Sequence, residues 1–225
     1  MSSDIINTII LAGSFLVLFA IAELLYHKLK VKVEITRKLV HMVTGLLALL
    51  FPVMLGNHWL VLLLSVVFAM ILFFSLRFKL LQSINAIDRD SVGSLAYPVA
   101  VYCSYLVYDY FQEQYIYFYM PVLILAVCDP VAALTGKRWP MGKYKQTRES
   151  KTLMGSAMFF ISAFVLILAL TKILKINEHI YITLMTALVI SLFSTIAEAV
   201  TKKGYDNLAI PGAVILGLIM MKQLI

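Results

Sequence analysis

The sequence predicts an all-α integral membrane protein, a polytopic bundle of about eight transmembrane helices forming a single domain over residues 1–225. Three observations lead there. Of the 225 residues 62% are hydrophobic and 14% charged, with a mean hydropathy of +0.92, which argues against a soluble globule. The apolar residues come in runs near the roughly 20 that a helix needs to cross about 30 Å of hydrocarbon. No segment shows the alternation over about ten positions that marks a membrane barrel strand.

The candidate spans are roughly 5–26, 38–55, 58–76, 93–110, 116–135, 153–171, 180–200 and 207–221. The second and last are short, so seven crossings are the alternative. With eight, 16 of the 19 basic residues fall in connections on one side, leaving Lys172, Lys175 and Lys222 on the other. The positive-inside rule makes the 16 cytoplasmic and puts both termini on the non-cytoplasmic side. The net charge of +7 thus reads as membrane orientation, with no nucleic-acid partner implied. In a prokaryote the location expected is the inner membrane.

The first run, Ile5 to Tyr26, lacks positive charge before it and has a basic cluster after it, so it reads as an uncleaved helix rather than a signal peptide. Glu23, in its last turn, reads as a snorkelling partner of Lys28 or Lys30, or as a residue behind the substrate site. In the second run Arg37, His41 and Gly45 are spaced by four and share a stripe. Arg37 and Lys38 are either interface markers or phosphate ligands. His41 is either a hydrogen-bonded buried imidazole or the group that meets a substrate hydroxyl.

The third run has no polar handle and reads as scaffold. In the connection after it, Leu80, Leu81, Ile84 and Ile87 suggest a short amphipathic piece in the membrane plane, followed by the charged turn Asp88-Arg89-Asp90. The tyrosines and phenylalanines between Tyr105 and Tyr119 read as an outer aromatic belt. Cys103 and Cys128 make no C-x-x-C pair and read as buried packed thiols.

Asp129 to Ser156 is the stretch that carries chemistry. Asp129 lies inside an apolar run, where an acid is expensive unless paired, hydrated or bound to metal. Ala132, Ala133 and Gly136 follow on its face, so a backbone or ligand can approach closely. A loop then carries Lys137, Arg138, Lys143, Lys145, Arg148 and Lys151 against the single acid Glu149. An acid beside a flexible cationic loop suits a metal-bound nucleotide, with cations and backbone N–H groups on its phosphates. In the seventh run Ser191, Ser194, Thr195 and Glu198 form a polar stripe, and Asp206-Asn207 opens the last. The stripe is either helix packing or part of a site. These groups come from different helices and fall near one surface.

Four motifs, in order, resemble the polyprenol kinase family, which includes phytol and dolichol kinases and CTP-using diacylglycerol kinases, with phosphatidate cytidylyltransferases as distant relatives. They are R-K-x-x-H-x-x-x-G (Arg37, Lys38, His41, Gly45), D-x-x-A-x-x-x-G (Asp129, Ala132, Gly136), K-T-x-x-G-S (Lys151, Thr152, Gly155, Ser156) and E-x₇-D-N (Glu198, Asp206, Asn207). The resemblance implies CTP-dependent phosphoryl transfer to a membrane lipid alcohol. Gly136 and Gly142 stand as G-x₅-G where the family usually has G-x₃-G, and Met154 stands where dolichol kinases commonly have glutamate. Both departures lean towards the phytol-kinase-like branch.

On this reading Asp129 and Glu198 hold Mg²⁺ on the nucleotide, and His41 serves the alcohol. Arg37, Lys38, Gly136, Gly142, Lys143, Lys151, Thr152, Gly155 and Ser156 contact phosphates. Asp206, Asn207, Ser194 and Glu23 support the substrate. The same residues would serve a CTP:phosphatidate cytidylyltransferase, and a transporter or lipid-binding protein without chemistry is the remaining alternative.

Overall fold

The computed structural model describes residues 3–86, 92–144, 151–176 and 179–222. Within them the regular elements are helices. α1 (Ser3–His27) leads to α2 (Val33–Ala48) and the one-turn α3 (Phe51–Met54). α4 (His58–Arg77) is followed by the one-turn α5 (Gln82–Asn85) and by α6 (Gly93–Tyr110). α7 (Ile116–Leu123) passes through a π-helical turn (Ile124–Cys128) into α8 (Asp129–Arg138). α9 (Leu153–Ile173), α10 (Ile180–Val200) and α11 (Asp206–Met221) complete the chain.

Among the described residues six segments are long and apolar enough to cross a membrane: Ser3–His27, Val33–Met54, His58–Arg77, Ile116–Arg138, Leu153–Ile173 and Ile180–Val200. The other two expected spans are helical but weaker. α11 has 16 residues, and α6 is diluted by Asp109, two serines and its tyrosines. The second span also starts earlier than expected, so Arg37 and Lys38 lie inside α2.

Two apolar cores sit side by side. One joins α1, α2, α4 and α6 around Phe15, Phe19, Phe51 and Phe68, with the Phe15 ring edge-on to Phe68 at 4.8 Å. The other joins α7, α9, α10 and α11 around Phe159, Ile167, Ile190 and Ile210. Ile116–Arg138 is the seam between them. Its apolar window is 72% buried, against at most 33% in the other five spans, so protein and not lipid surrounds it. That burial lets this span carry an acid.

Asn7 Nδ2 donates to the Met54 carbonyl at 2.8 Å, Tyr105 Oη donates to the Leu55 carbonyl at 3.2 Å, and Lys222 lies 4.6 Å over the Phe111 ring. These contacts place both ends of the described chain at one end of the bundle. The starts of α2, α6 and α11 gather at the other.

Several expectations need correction. The aromatic belt is a packed cluster: Tyr105, Tyr108, Tyr117 and Phe118 are buried, and the Phe111 and Tyr117 rings stack at 4.1 Å. Edge-on and stacked ring pairs satisfy these side chains inside the protein better than an interface would. Cys103 is exposed and only Cys128 buried. The in-plane amphipathic piece shrinks to the single turn of α5, with Ile84 buried and Leu80 exposed. Ile87, Asp88, Arg89 and Asp90 lie outside the described residues, as do Lys145, Arg148 and Glu149.

Candidate active site

The acid at the seam is placed by a local backbone change. Ile124–Cys128 is π-helical, a rare single-turn form that widens the helix. In an i→i+5 ladder the donor for the Leu125 carbonyl would be residue 130, and Pro130 has no N–H. That carbonyl instead meets His41 Nε2 at 3.0 Å. α2 comes this close because Gly45 leaves room: a Cβ there would run into Ala126 and sit 2.6 Å from the Tyr97 hydroxyl. Tyr97 completes the seat of His41, donating to its backbone carbonyl at 3.1 Å with the two rings edge-on at 4.6 Å.

Asp129 is buried, and Lys38 is its direct partner, with Nζ 2.5 Å from Oδ2. His41 Nε2 is 3.7 Å from the same oxygen. Lys38 sits one residue off the Arg37–His41 stripe, so helical spacing alone pointed elsewhere. Burial of both charges is tolerable because each neutralises the other.

A second charged group stands on the α9–α11 side. Lys151 Nζ lies 3.1 Å from Glu198 Oε1 and 3.7 Å from Asp206 Oδ2, and donates to the Glu198 backbone carbonyl. Ser156 Oγ donates to Glu198 Oε2 at 3.1 Å, and the Tyr144 hydroxyl reaches Ser156 Oγ at 3.3 Å. Thr152 caps α9, its Oγ1 accepting from Gly155 N at 3.0 Å. The cap is pressed against α8: a Cβ on Gly136 would lie 2.7 Å from Thr152 Oγ1 and 3.2 Å from Gly155 Cα. These glycines let α8 and α9 approach closely and bring Lys151 towards Asp129.

The two groups meet in a small polar cleft of about 40 Å³ lined by Arg37, Lys38, His41, Gly93, Asp129, Gly204, Asp206 and Asn207. Asn207 spans its rim, donating from Nδ2 to the Gly93 carbonyl at 2.7 Å. Beside it a cavity of about 890 Å³ runs between α1, α2, α4 and α6. Its far walls are apolar, with Phe15, Ala48, Phe51, Leu64 and Phe68; its near end carries Arg37, His41, Lys79, Lys203 and Asn207. Arg37, His41, Gly93 and Asn207 line both spaces.

The structure therefore brings Arg37, Lys38, His41, Asp129, Asp206 and Asn207 to one cleft, with Lys151, Glu198, Thr152, Gly155 and Ser156 linked to it. Four expected residues stand apart. Ser194 is buried and bonds within its own helix, to Ile190 and Ser191 carbonyls, as hydroxyls in apolar helices do when no outside partner is near. Lys143 and Gly142 are exposed on a turn, with Gly142 at φ 64 and packed on Leu153. Glu23 meets His27 at 3.0 Å and the Ser83 N–H at 2.8 Å, not Lys28 or Lys30, since His27 lies one turn on from it and Ser83 folds back over it. Sequence reasoning missed Tyr97, Gly93 and the cavity walls, and α4, read as bare scaffold, supplies Leu64, Ser65, Phe68 and Leu72 to them.

The carboxylate oxygens of Asp129 and Glu198, which stand in separate groups, are the donor type a hard divalent ion such as Mg²⁺ takes, commonly one or two carboxylates with water and phosphate completing its shell. Among the described residues no group of three or more His, Cys, Asp or Glu side chains forms a ready-made cage. Each carboxylate already has a lysine cation against it, so the site carries counter-charge where a metal–phosphate unit would lie.

Fold and site together define a multi-pass helical membrane protein with a charged cleft at the head of an apolar cavity. No family model and no solved structure matches the chain. The phytol kinase of Synechocystis sp. is 27% identical over 191 residues, covering 84% of this chain and 80% of that protein. The similarity supports a relationship to the polyprenol and phytol kinases.

Proposed function

We propose that this protein transfers the terminal phosphoryl group of CTP to the hydroxyl of a membrane isoprenoid or related lipid alcohol. The alcohol oxygen bonds to the γ-phosphorus, the bond to the β-phosphate oxygen breaks, and lipid monophosphate, CDP and a proton leave. The observation that carries this reading is the shared wall: Arg37, His41, Gly93 and Asn207 border both the charged cleft and the 890 Å³ cavity. An acceptor with its tail in the cavity would present its hydroxyl to the groups that flank the cleft. The cavity falls in the range of about 300–1,000 Å³ usual for ligand sites.

Phosphoryl transfer asks a protein mainly for alignment and charge neutralisation. Asp129 and Glu198 would hold Mg²⁺, which when bound neutralises charge on the triphosphate. Lys38 and Lys151, now on carboxylates, would turn to phosphate oxygens together with Arg37, and Lys143 on its exposed turn would approach from solvent. Gly136, Gly142 and Gly155 contribute close approach, and Thr152 and Ser156 hold the α9 end of the site. His41 would orient the alcohol and take its proton. Asp206 and Asn207 would position Lys151 and the α6 start. In the membrane the chain would make eight crossings, with α6 and α11 shielded by their neighbours and the charged end facing the cytoplasm; in a prokaryote this is the inner membrane.

Incubation of the purified protein in vesicles with CTP labelled at the γ-phosphate and a panel of lipid alcohols tests the proposal. Label in the lipid is the expected result. Label in pyrophosphate with phosphatidate as acceptor would show cytidylyl transfer instead. Lipid flux without any transfer would overturn the enzymatic reading.

A further inference from the structure

Beyond α4, residues 78–86 fold back over the charged end of the apolar cavity, where Lys79, Ile84 and Asn85 join its lining. Lys79 and Leu81 hold left-handed backbone there, with φ of 54 and 48. Side chains with a Cβ rarely adopt that conformation unless their surroundings impose it. Here three helices do so. The Ser83 N–H donates to Glu23 Oε1 on α1 at 2.8 Å, and the Ser83 carbonyl accepts from Thr36 Oγ1 on α2 at 2.6 Å. Asn85 Nδ2 donates to Ser75 Oγ on α4 at 2.9 Å. Glu23 is itself fixed, its Oε2 being 3.0 Å from His27 Nε2. Ser83 and Ile84 are buried under these bonds.

We propose that Glu23 is a positioning residue for the lipid acceptor, acting through α5. By holding Ser83, Glu23 and Thr36 keep Ile84 and Asn85 over the head of the cavity, on the side facing Arg37 and His41. The strap then confines the first carbons of the acceptor and sets the depth at which its hydroxyl meets the cleft. This rests on the acceptor occupying the cavity, as in the reading above. Glu23 touches neither nucleotide nor acceptor, so its effect is confined to acceptor recognition.

The test uses the full chain in phosphatidylcholine vesicles, comparing Glu23→Ala, Glu23→Gln and Thr36→Val with the unmodified protein. Glu23→Ala and Thr36→Val are expected to raise KM for a C20 prenyl alcohol about tenfold, the scale of one buried hydrogen bond, with KM for CTP unchanged within about twofold. Glu23→Gln keeps an amide oxygen for the Ser83 N–H and is expected to stay close to the unmodified value. Binding of a fluorescent prenyl alcohol without nucleotide should give the same order. If no variant transfers phosphate but the binding order holds, the kinase reading fails and the role of Glu23 stands. Unchanged alcohol KM and binding in Glu23→Ala and Thr36→Val would overturn the proposal, as would a Glu23→Gln as impaired as Glu23→Ala. Should Glu23→Ala not fold, Thr36→Val carries the test, since it changes little volume.

Discussion

Replacing Asp129 with asparagine separates the structural from the chemical part of this site when paired with a change at Lys38. Both side chains are about one-tenth exposed, and their heads are 2.5 Å apart. Asp129→Asn alone strands the Lys38 ammonium in that setting, a change that typically costs about 3–5 kcal/mol. At about 2–4 °C per kcal/mol for a chain of this size, the melting temperature in detergent should fall by roughly 6–20 °C. Lys38→Met alone strands the carboxylate and should cost a similar amount. The double variant Lys38→Met/Asp129→Asn buries no unpaired charge and should recover most of the loss, giving a coupling of about 3 kcal/mol or more in the cycle. Transfer of γ-label to lipid should be lost in Asp129→Asn and should stay lost in the double variant. Recovery of turnover with stability in the double variant would refute a chemical role for Asp129. Additive losses without coupling would refute the ion pair itself.

Two further outcomes follow from packing. Gly136→Ala places a Cβ 2.7 Å from Thr152 Oγ1 and 3.2 Å from a backbone atom of Gly155, so it should destabilise by about 1–3 kcal/mol, read as a lower melting temperature. Leu64→Trp adds bulk to the apolar end of the cavity and should raise KM for a C20 prenyl alcohol about tenfold or more, leaving KM for CTP alone.

The sequence was most legible where physics makes a residue costly. Asp129 and Glu198 stand out because acids inside apolar helices need partners, and both are buried beside lysines. Lys151 and Asp206 stood out by motif, and the structure joins them. Lys38 was harder, since a lysine beside an arginine at a helix start looks like an interface anchor until the helix is seen to begin earlier, at Val33. The cavity was illegible because Phe15, Leu64 and Phe68 face a void with the same side chains that other positions turn to lipid. Hydropathy does not distinguish the two surroundings. The tyrosines of α6 and α7 misled for a related reason: an aromatic with a polar tip suits an interface and a buried ring cluster alike. The carbonyl freed before Asp129 had one visible cause in the sequence, Pro130, which has no N–H.

That missing donor settles which nitrogen of the imidazole holds hydrogen. A carbonyl oxygen can only accept, so the contact between Leu125 and His41 requires Nε2–H and leaves the lone pair of the neutral ring on Nδ1. A proline on one helix thereby selects the tautomer of a histidine on another. For the alcohol chemistry proposed here, Nδ1 is the atom that would receive the proton. Pro130→Ala would restore a rival donor for that oxygen and free the ring to turn over.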